Sequence, residues 1–163
     1  MGSTCTVAVM RENELYVGHV GDSRAYLIRE GKLEQVTEDH SWVAEQVKRG
    51  ALTEEEAAYS PFRNVITRSL GAQPEVEPDV YRRELEVGDV LLLCSDGLTG
   101  YVDDQTIFEI ADSYGPSLAA LKLVQKANEN GGGDNVTVVI VAVRDIARLG
   151  GRKSRLCRLL GRE

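Results

Sequence analysis

The sequence predicts an α+β fold in which helices cover antiparallel sheets. Short β-branched and apolar runs divided by tight turns fill the first 36 residues. Two segments with helical spacing, 103–114 and 117–130, follow one another with no strand between them. Two continuous apolar runs, Val90–Cys94 and Val136–Val143, read as buried strands. Strands, then helices, then a strand is the order of an α+β domain rather than of βαβ units.

Each element has a local cause. Ser3–Met10 reads as a strand, Arg11-Glu-Asn-Glu14 as a turn, and Leu15–Val20 as the returning strand. Gly21-Asp-Ser-Arg24 interrupts the run, which resumes over Ala25–Arg29 and returns through Glu30-Gly31 into Lys32–Val36. These signals predict a β-meander. Ser41 is placed to cap a helix carrying Trp42, Val43, Gln46 and Val47, ended by Gly50. Thr53-Glu-Glu-Glu56 has the spacing of a capping box for a second short helix, stopped near Ser60-Pro61. Glu75–Leu85, with a proline near its start, suits an edge strand. Asp103 or Asp104 opens a helix with Ile107, Ile110, Ala111 and Tyr114 on one face. The helix over Ser117–Asn130 stops at Gly131-Gly-Gly133.

Composition narrows the function. With 163 residues, 42% hydrophobic and 28% charged, the chain can build one domain with its own core. No apolar stretch approaches the ~20 residues of a membrane span, and no basic-then-apolar leader is visible, so the cytoplasm is the expected location. Cys5, Cys94 and Cys157 are odd in number and never form C-x-x-C, which argues against a disulfide framework or zinc knuckle. With only His19 and His40, any metal is expected on carboxylates. Residues 144–163 carry seven Lys or Arg against two acids, leaving twelve basic and twenty-four acidic residues before them. An acidic body disfavours nucleic acid as a partner. The basic tail is expected to be a solvated terminus making at most weak, salt-sensitive surface contact.

Three aspartates share one context. Asp22 follows Gly21, Asp96 precedes Gly97, and Asp134 precedes Asn135 after the glycine run; each stands where an apolar strand starts or ends. Carboxylates at strand ends beside glycine can leave the core and meet at a sheet rim. Ordinary turns also use Asp-Gly and Asp-Asn, so the residues alone leave both readings open.

Gly21-Asp-Ser-Arg24, Cys94-Ser-Asp-Gly-Leu98 and Gly133-Asp-Asn-Val-Thr137 resemble, in order and context, motifs of the metal-dependent protein phosphatase 2C family. Met1-Gly-Ser-Thr4 is similar to an internal strand of that family, and Arg68-Ser-Leu-Gly71 to the segment after its flap. The resemblance covers residues 1 to about 145 and implies an α-β-β-α four-layer sandwich over residues 1–143, with a flap at about 39–70. It implies that Asp96 and Asp134 are catalytic ligands of a central pair of manganese or magnesium ions. Asp22 would hold a third, weaker ion that Asp96 shares. Hard oxygen ligands suit those metals, and two such ions can activate a water for in-line attack on phosphorus. The implied reaction is hydrolysis of phosphoserine and phosphothreonine in phosphorylated proteins, opposing a serine/threonine kinase.

Other phosphatase designs fit poorly. Only Cys5 has an arginine, Arg11, at the C-x5-R spacing, but Thr6–Met10 between them lacks glycine and reads as a strand, not a phosphate-cradling loop. A D-x-D nucleophile motif is absent at Asp22 and Asp96, and no P-loop spacing exists. Arg24 is expected to pair with a nearby acid, His19 to pack in the core or at an edge, and His40 to sit at a helix entry rather than donate a proton. Cys94 reads as a small hydrophobe.

One departure qualifies the resemblance. The family carries a further Asp-Gly motif and a phosphate-gripping arginine upstream of the strand that Met1-Gly-Ser-Thr4 resembles. Neither has a counterpart in this sequence. The expectation is therefore the later part of such a domain, N-terminally incomplete, with bare sheet edges and poor activity unless the N-terminal segment is supplied. The alternative is a non-catalytic remnant that binds a phosphoprotein or a partner.

Overall fold

The computed structural model describes residues 1–146; most of the basic tail, from residue 147 on, lies outside the described residues. Strands β1 (Cys5–Arg11), β2 (Glu14–Val20), β3 (Arg24–Arg29) and β4 (Lys32–Gln35) come first. Helices α1 (Trp42–Lys48) and α2 (Glu54–Ala58) follow, then β5 (Asp79–Glu84) and β6 (Val90–Cys94). The chain continues through α3 (Asp96–Thr99), α4 (Asp104–Ser113), α5 (Pro116–Glu129) and β7 (Val138–Ala142). These are antiparallel sheets flanked by helices, as the sequence predicts.

The expected meander does not form. β1 and β2 pair as a hairpin and β5 joins β2, giving a three-stranded sheet in the order β1-β2-β5. β3 and β4 form a second hairpin inside another sheet, ordered β4-β3-β6-β7. The chain changes sheets at Gly21–Ser23. Local alternation is the same whether the next strand pairs in the same sheet or crosses to another, so pattern alone could not show the switch.

Two cores follow from the period of two along β3 and β6. Ala25, Leu27 and Leu91 face Leu15, Val17 and Leu85 between the sheets. Tyr26, Ile28, Leu92 and Cys94 face Ile107, Ala111, Leu123 and Ala127 of α4 and α5. Covering on both faces explains the unbroken apolar run of β6. Leu91 and Leu92 are fully buried, one in each core, and each contributes about 1.5–3 kcal/mol by burial.

β7 corrects the reading of Val136–Val143 as wholly buried. Val138 and Ile140 pack toward the helices, but Val139 and Val141 on the other face are exposed, because β7 ends the sheet order where little lies opposite it. The three-stranded sheet likewise leaves Val7, Val9 and Val80 half-exposed or more, at 50%, 55% and 69%. Among the described residues, α4 and α5 cover the four-stranded sheet.

The caps are as the sequence implies. Ser41 accepts from the Ala44 amide, Thr53 and Glu56 form the capping box, and Asp103 accepts from the Thr106 amide. The segment between β4 and β5 is closed at its base by the Trp42 amide donating to the Val65 carbonyl, 2.8 Å, and Thr67 to His40, 2.8 Å. Ser3 bridges Leu70 through two backbone bonds of 3.0 and 2.8 Å, tying the first residues to Arg68-Ser-Leu-Gly71.

Candidate metal centre

The first candidate aspartate stands at the crossover between the sheets. Gly21 adopts φ +117° with Thr4 packed where a side chain would project, so the sharp turn needs glycine. The turn leaves Asp22 half-buried at the rim. Its carboxyl is pushed up, first by burial and then by the negative charge of Asp96. Asp22 thus lies within the field of a residue 74 positions away in the chain.

The loops carrying Asp96 and Asp134 are joined by three hydrogen bonds made by Ser95. The Ser95 amide donates to the Thr137 carbonyl, 3.1 Å, the Thr137 amide to Ser95 Oγ, 3.0 Å, and Ser95 Oγ to the Asn135 carbonyl, 3.0 Å. Gly97 is seated so tightly that a Cβ would collide with the Asn135 carbonyl. The Asp96-Gly97 turn and the Asp134-Asn135 loop are therefore neighbours, with both carboxylates exposed. Asp134 Oδ1 accepts from the Asn135 amide at 2.7 Å.

All three loops lie where strands end, and the negative charge of Asp96 acting on Asp22 is of the kind a divalent cation would offset. Among the described residues, however, no group of three His, Cys, Asp or Glu side chains stands close enough to hold one ion. The donor set fits a hard metal in kind, with carboxylates and water as ligands.

The remaining candidates resolve into structure. Arg24 grips Asp39 through Nε–Oδ1 at 3.0 Å and Nη2–Oδ2 at 2.8 Å, and donates to the Tyr26 hydroxyl at 3.0 Å, the acid pairing expected. Cys94 lies in the helix-side core, where burial pushes its thiol up to about 12. Cys5 and Arg11 belong to one extended strand, so no phosphate loop forms between them. His19 is buried, with its imidazole basicity lowered by burial and by His40.

His40 sits at the helix entry as expected, directly before the Ser41 cap, but it is not a surface group: it is 4% exposed, with its ring centroid 4.7 Å from that of His19 and the two rings tilted. Sequence reasoning also passed over Asp79 and Arg68, which join His40 in one hydrogen-bonded chain. Their separations along the sequence carry no periodic signal. A shallow cleft of about 760 Å³ lies away from the aspartates, beside Trp42, Leu52, Tyr59 and Phe62 of the segment between β4 and β5.

Comparison with known proteins agrees with this architecture. The family model described as protein phosphatase 2C matches residues 1–46. The chain is 44% identical over 145 residues to the serine/threonine protein phosphatase PstP of Mycobacterium tuberculosis, covering 89% of this chain and 28% of that protein. It is 40% identical to the serine/threonine phosphatase stp of Listeria monocytogenes, covering 92% of this chain and 60% of that one. The catalytic domain of PstP crystallised with two manganese ions superposes with a TM-score of 0.82 at 43% identity, over 89% of this chain and 60% of that one. The chain thus spans between 28% and 60% of the length of these two curated relatives.

Proposed function

We propose that this chain, which belongs to the protein phosphatase 2C family, carries part of a metal-dependent site for hydrolysing phosphoserine and phosphothreonine in proteins. The observation that carries the reading is the fastening of the Asp134 loop onto the Asp96-Gly97 turn, with Asp22 close enough to feel the Asp96 charge. In this reading Asp96 and Asp134 hold the central manganese or magnesium ions, and Asp22 shares a third with Asp96. When bound, the metals supply an activated water and positive charge for the phosphoryl oxygens. The chain's own residues do the holding. Gly97 and Ser95 keep the two ligand loops in register, and Gly21 turns Asp22 toward the rim.

Phosphorylated proteins are the substrate class, opposed by a serine/threonine kinase, in the cytoplasm. Residues 39–70 act as the flap that meets them. No helix of the described residues is long and apolar enough to cross a membrane.

The 163-residue chain by itself is expected to turn over slowly. Two-metal catalysis depends on fixed geometry, and among the described residues no three-ligand cluster would fix an ion's position. In the resemblance a bridging carboxylate and an arginine clamp belong to a further segment, and supplying them would add contributions of the order of 10²–10³ each in rate. The test is manganese-dependent hydrolysis of a phosphopeptide and an aryl phosphate. It compares this chain with the same chain carrying a family-type N-terminal segment. Robust turnover by the 163 residues alone would refute the account of the bridging ligand. The absence of that cluster also favours a second reading, a non-catalytic module that binds phosphoproteins or a partner. No gain in activity with the added segment would favour it over the first.

A further inference from the structure

A hydrogen-bonded chain of four residues, buried at Gly21 and His40 and partly exposed at Asp79 and Arg68, runs from the end of the segment between β4 and β5 to the turn that presents Asp22. The Gly21 amide donates to His40 Nδ1 at 3.0 Å, while the Gly21 carbonyl accepts from the His40 amide at 2.7 Å. One residue thus clasps both polar groups of the peptide turn that precedes Asp22. Because Nδ1 accepts from a backbone amide, the ring proton of neutral His40 must sit on Nε2. Nε2 lies 3.0 Å from Asp79 Oδ2 and donates to it. The other Asp79 oxygen accepts from Arg68 Nη1 at 2.7 Å, and Arg68 also donates to the Glu77 carbonyl at 3.2 Å. Asp79 is held in turn by the pairing of β5 with β2, opposite His19, whose ring packs at a tilt against His40.

We infer that His40 and Asp79 are positioning residues for Asp22, acting through the Gly21 peptide. Arg68–Asp79–His40–Gly21 then makes the base of the 39–70 segment and the Asp22 turn one mechanical unit. The inference rests on Asp22 being a metal ligand. Gly21 at φ +117° has no side chain to brace it, so its orientation depends on what grips its amide and carbonyl. Backbone–backbone bonding alone would hold the carbonyl; only the imidazole holds the amide. Groups that orient ligands from one step away are commonly worth 10–100-fold in metal affinity.

The experiment is a manganese titration of the whole chain followed by paramagnetic broadening of the Gly21, Asp22 and Gly97 amide signals, which reads weak affinities. It uses the unaltered chain and four variants. Asp22→Asn should weaken binding at this turn. His40→Leu, which removes the acceptor, should weaken it about tenfold and move the Gly21 and Asp22 amide signals even without metal. His40→Asn keeps an acceptor near the Nδ1 position and should restore much of both. Asp79→Asn, which removes the charge that fixes the imidazole, should weaken binding several-fold, and it decides the matter if His40→Leu does not fold. If manganese leaves these amides untouched, or Asp22→Asn binds as the unaltered chain does, the metal reading of Asp22 is wrong. If Asp22→Asn weakens binding but His40→Leu and Asp79→Asn do not, positioning through Gly21 is overturned. Equal losses in His40→Asn and His40→Leu would overturn it too, since the acceptor would then not be what matters.

Discussion

Replacing Gly97 with alanine tests how the two ligand loops are held. Gly97 lies within α3 without positive φ, so helix propensity alone favours alanine by roughly 1 kcal/mol. The tertiary contact opposes this. A Cβ at Gly97 would collide with the Asn135 carbonyl oxygen and lie 2.9 Å from its carbon. The obstacle is backbone, which cannot swing aside as a long side chain would. Relief requires the Asp134-Asn135 loop to withdraw, weakening the three Ser95–Asn135–Thr137 bonds of 3.0–3.1 Å. Overpacking of this kind costs about 1–3 kcal/mol, and each weakened bond adds about 0.5–1.5 kcal/mol at most. Taking the middle of the overpacking range and partial weakening of the bonds against the propensity gain, Gly97→Ala should destabilise by about 2–3 kcal/mol, read as a lower midpoint in urea unfolding. Gly18→Ala, where a Cβ meets nothing within 4 Å, is the control and should be near neutral. Manganese affinity should fall with the first change and not with the second. A Gly97→Ala chain as stable as the parent would show that the loops separate freely, against their fastening by Ser95.

Other outcomes follow from the same geometry. Asp96→Ala should weaken manganese binding more than Asp22→Ala, because Asp96 would serve more than one ion; calorimetric titration ranks them, and equal losses would contradict the sharing. Arg24→Ala should cost about 2–4 kcal/mol in denaturant unfolding, since it leaves Asp39 (14% exposed) without its two-point partner and the Tyr26 hydroxyl without a donor. The Arg68 hydrogen bond holds the Asp79 carboxyl at about 2, below the ordinary carboxylate range. A depressed carboxyl stabilises fully above its unfolded value and loses that contribution as pH falls toward 2. Unfolding midpoints should therefore drop between pH 4 and about 2 more steeply in the parent than in Asp79→Asn; parallel curves would mean the pair is already screened by solvent.

Much of this protein was legible residue by residue. Caps at Ser41, Thr53 and Asp103, the edge strand at β5 and both long helices each depend on neighbours within four positions, so their causes are written locally. The pairing of Arg24 with an acid was also readable in kind, because a half-buried arginine seldom goes without one, though Asp39 could not be singled out. The likeness of three short motifs to phosphatase 2C went further than periodicity could, pointing to Asp22, Asp96 and Asp134 before any geometry was known.

What the amino-acid order determined by itself was the strands and all the helices except the short α3, the two-faced burial of β6 and the presence of acids at strand ends. These rest on short-range sterics, capping and the alternation of side chains. Only the tertiary structure decided that the chain leaves one sheet for another at Gly21, so that the expected meander became two hairpins in different layers. It alone set Gly97 against Asn135 and His40 between Gly21 and Asp79. It alone left one face of β7 uncovered. Those outcomes depend on which surfaces meet once the strands have paired, and partners 39 or 40 positions apart leave no periodic trace in the chain.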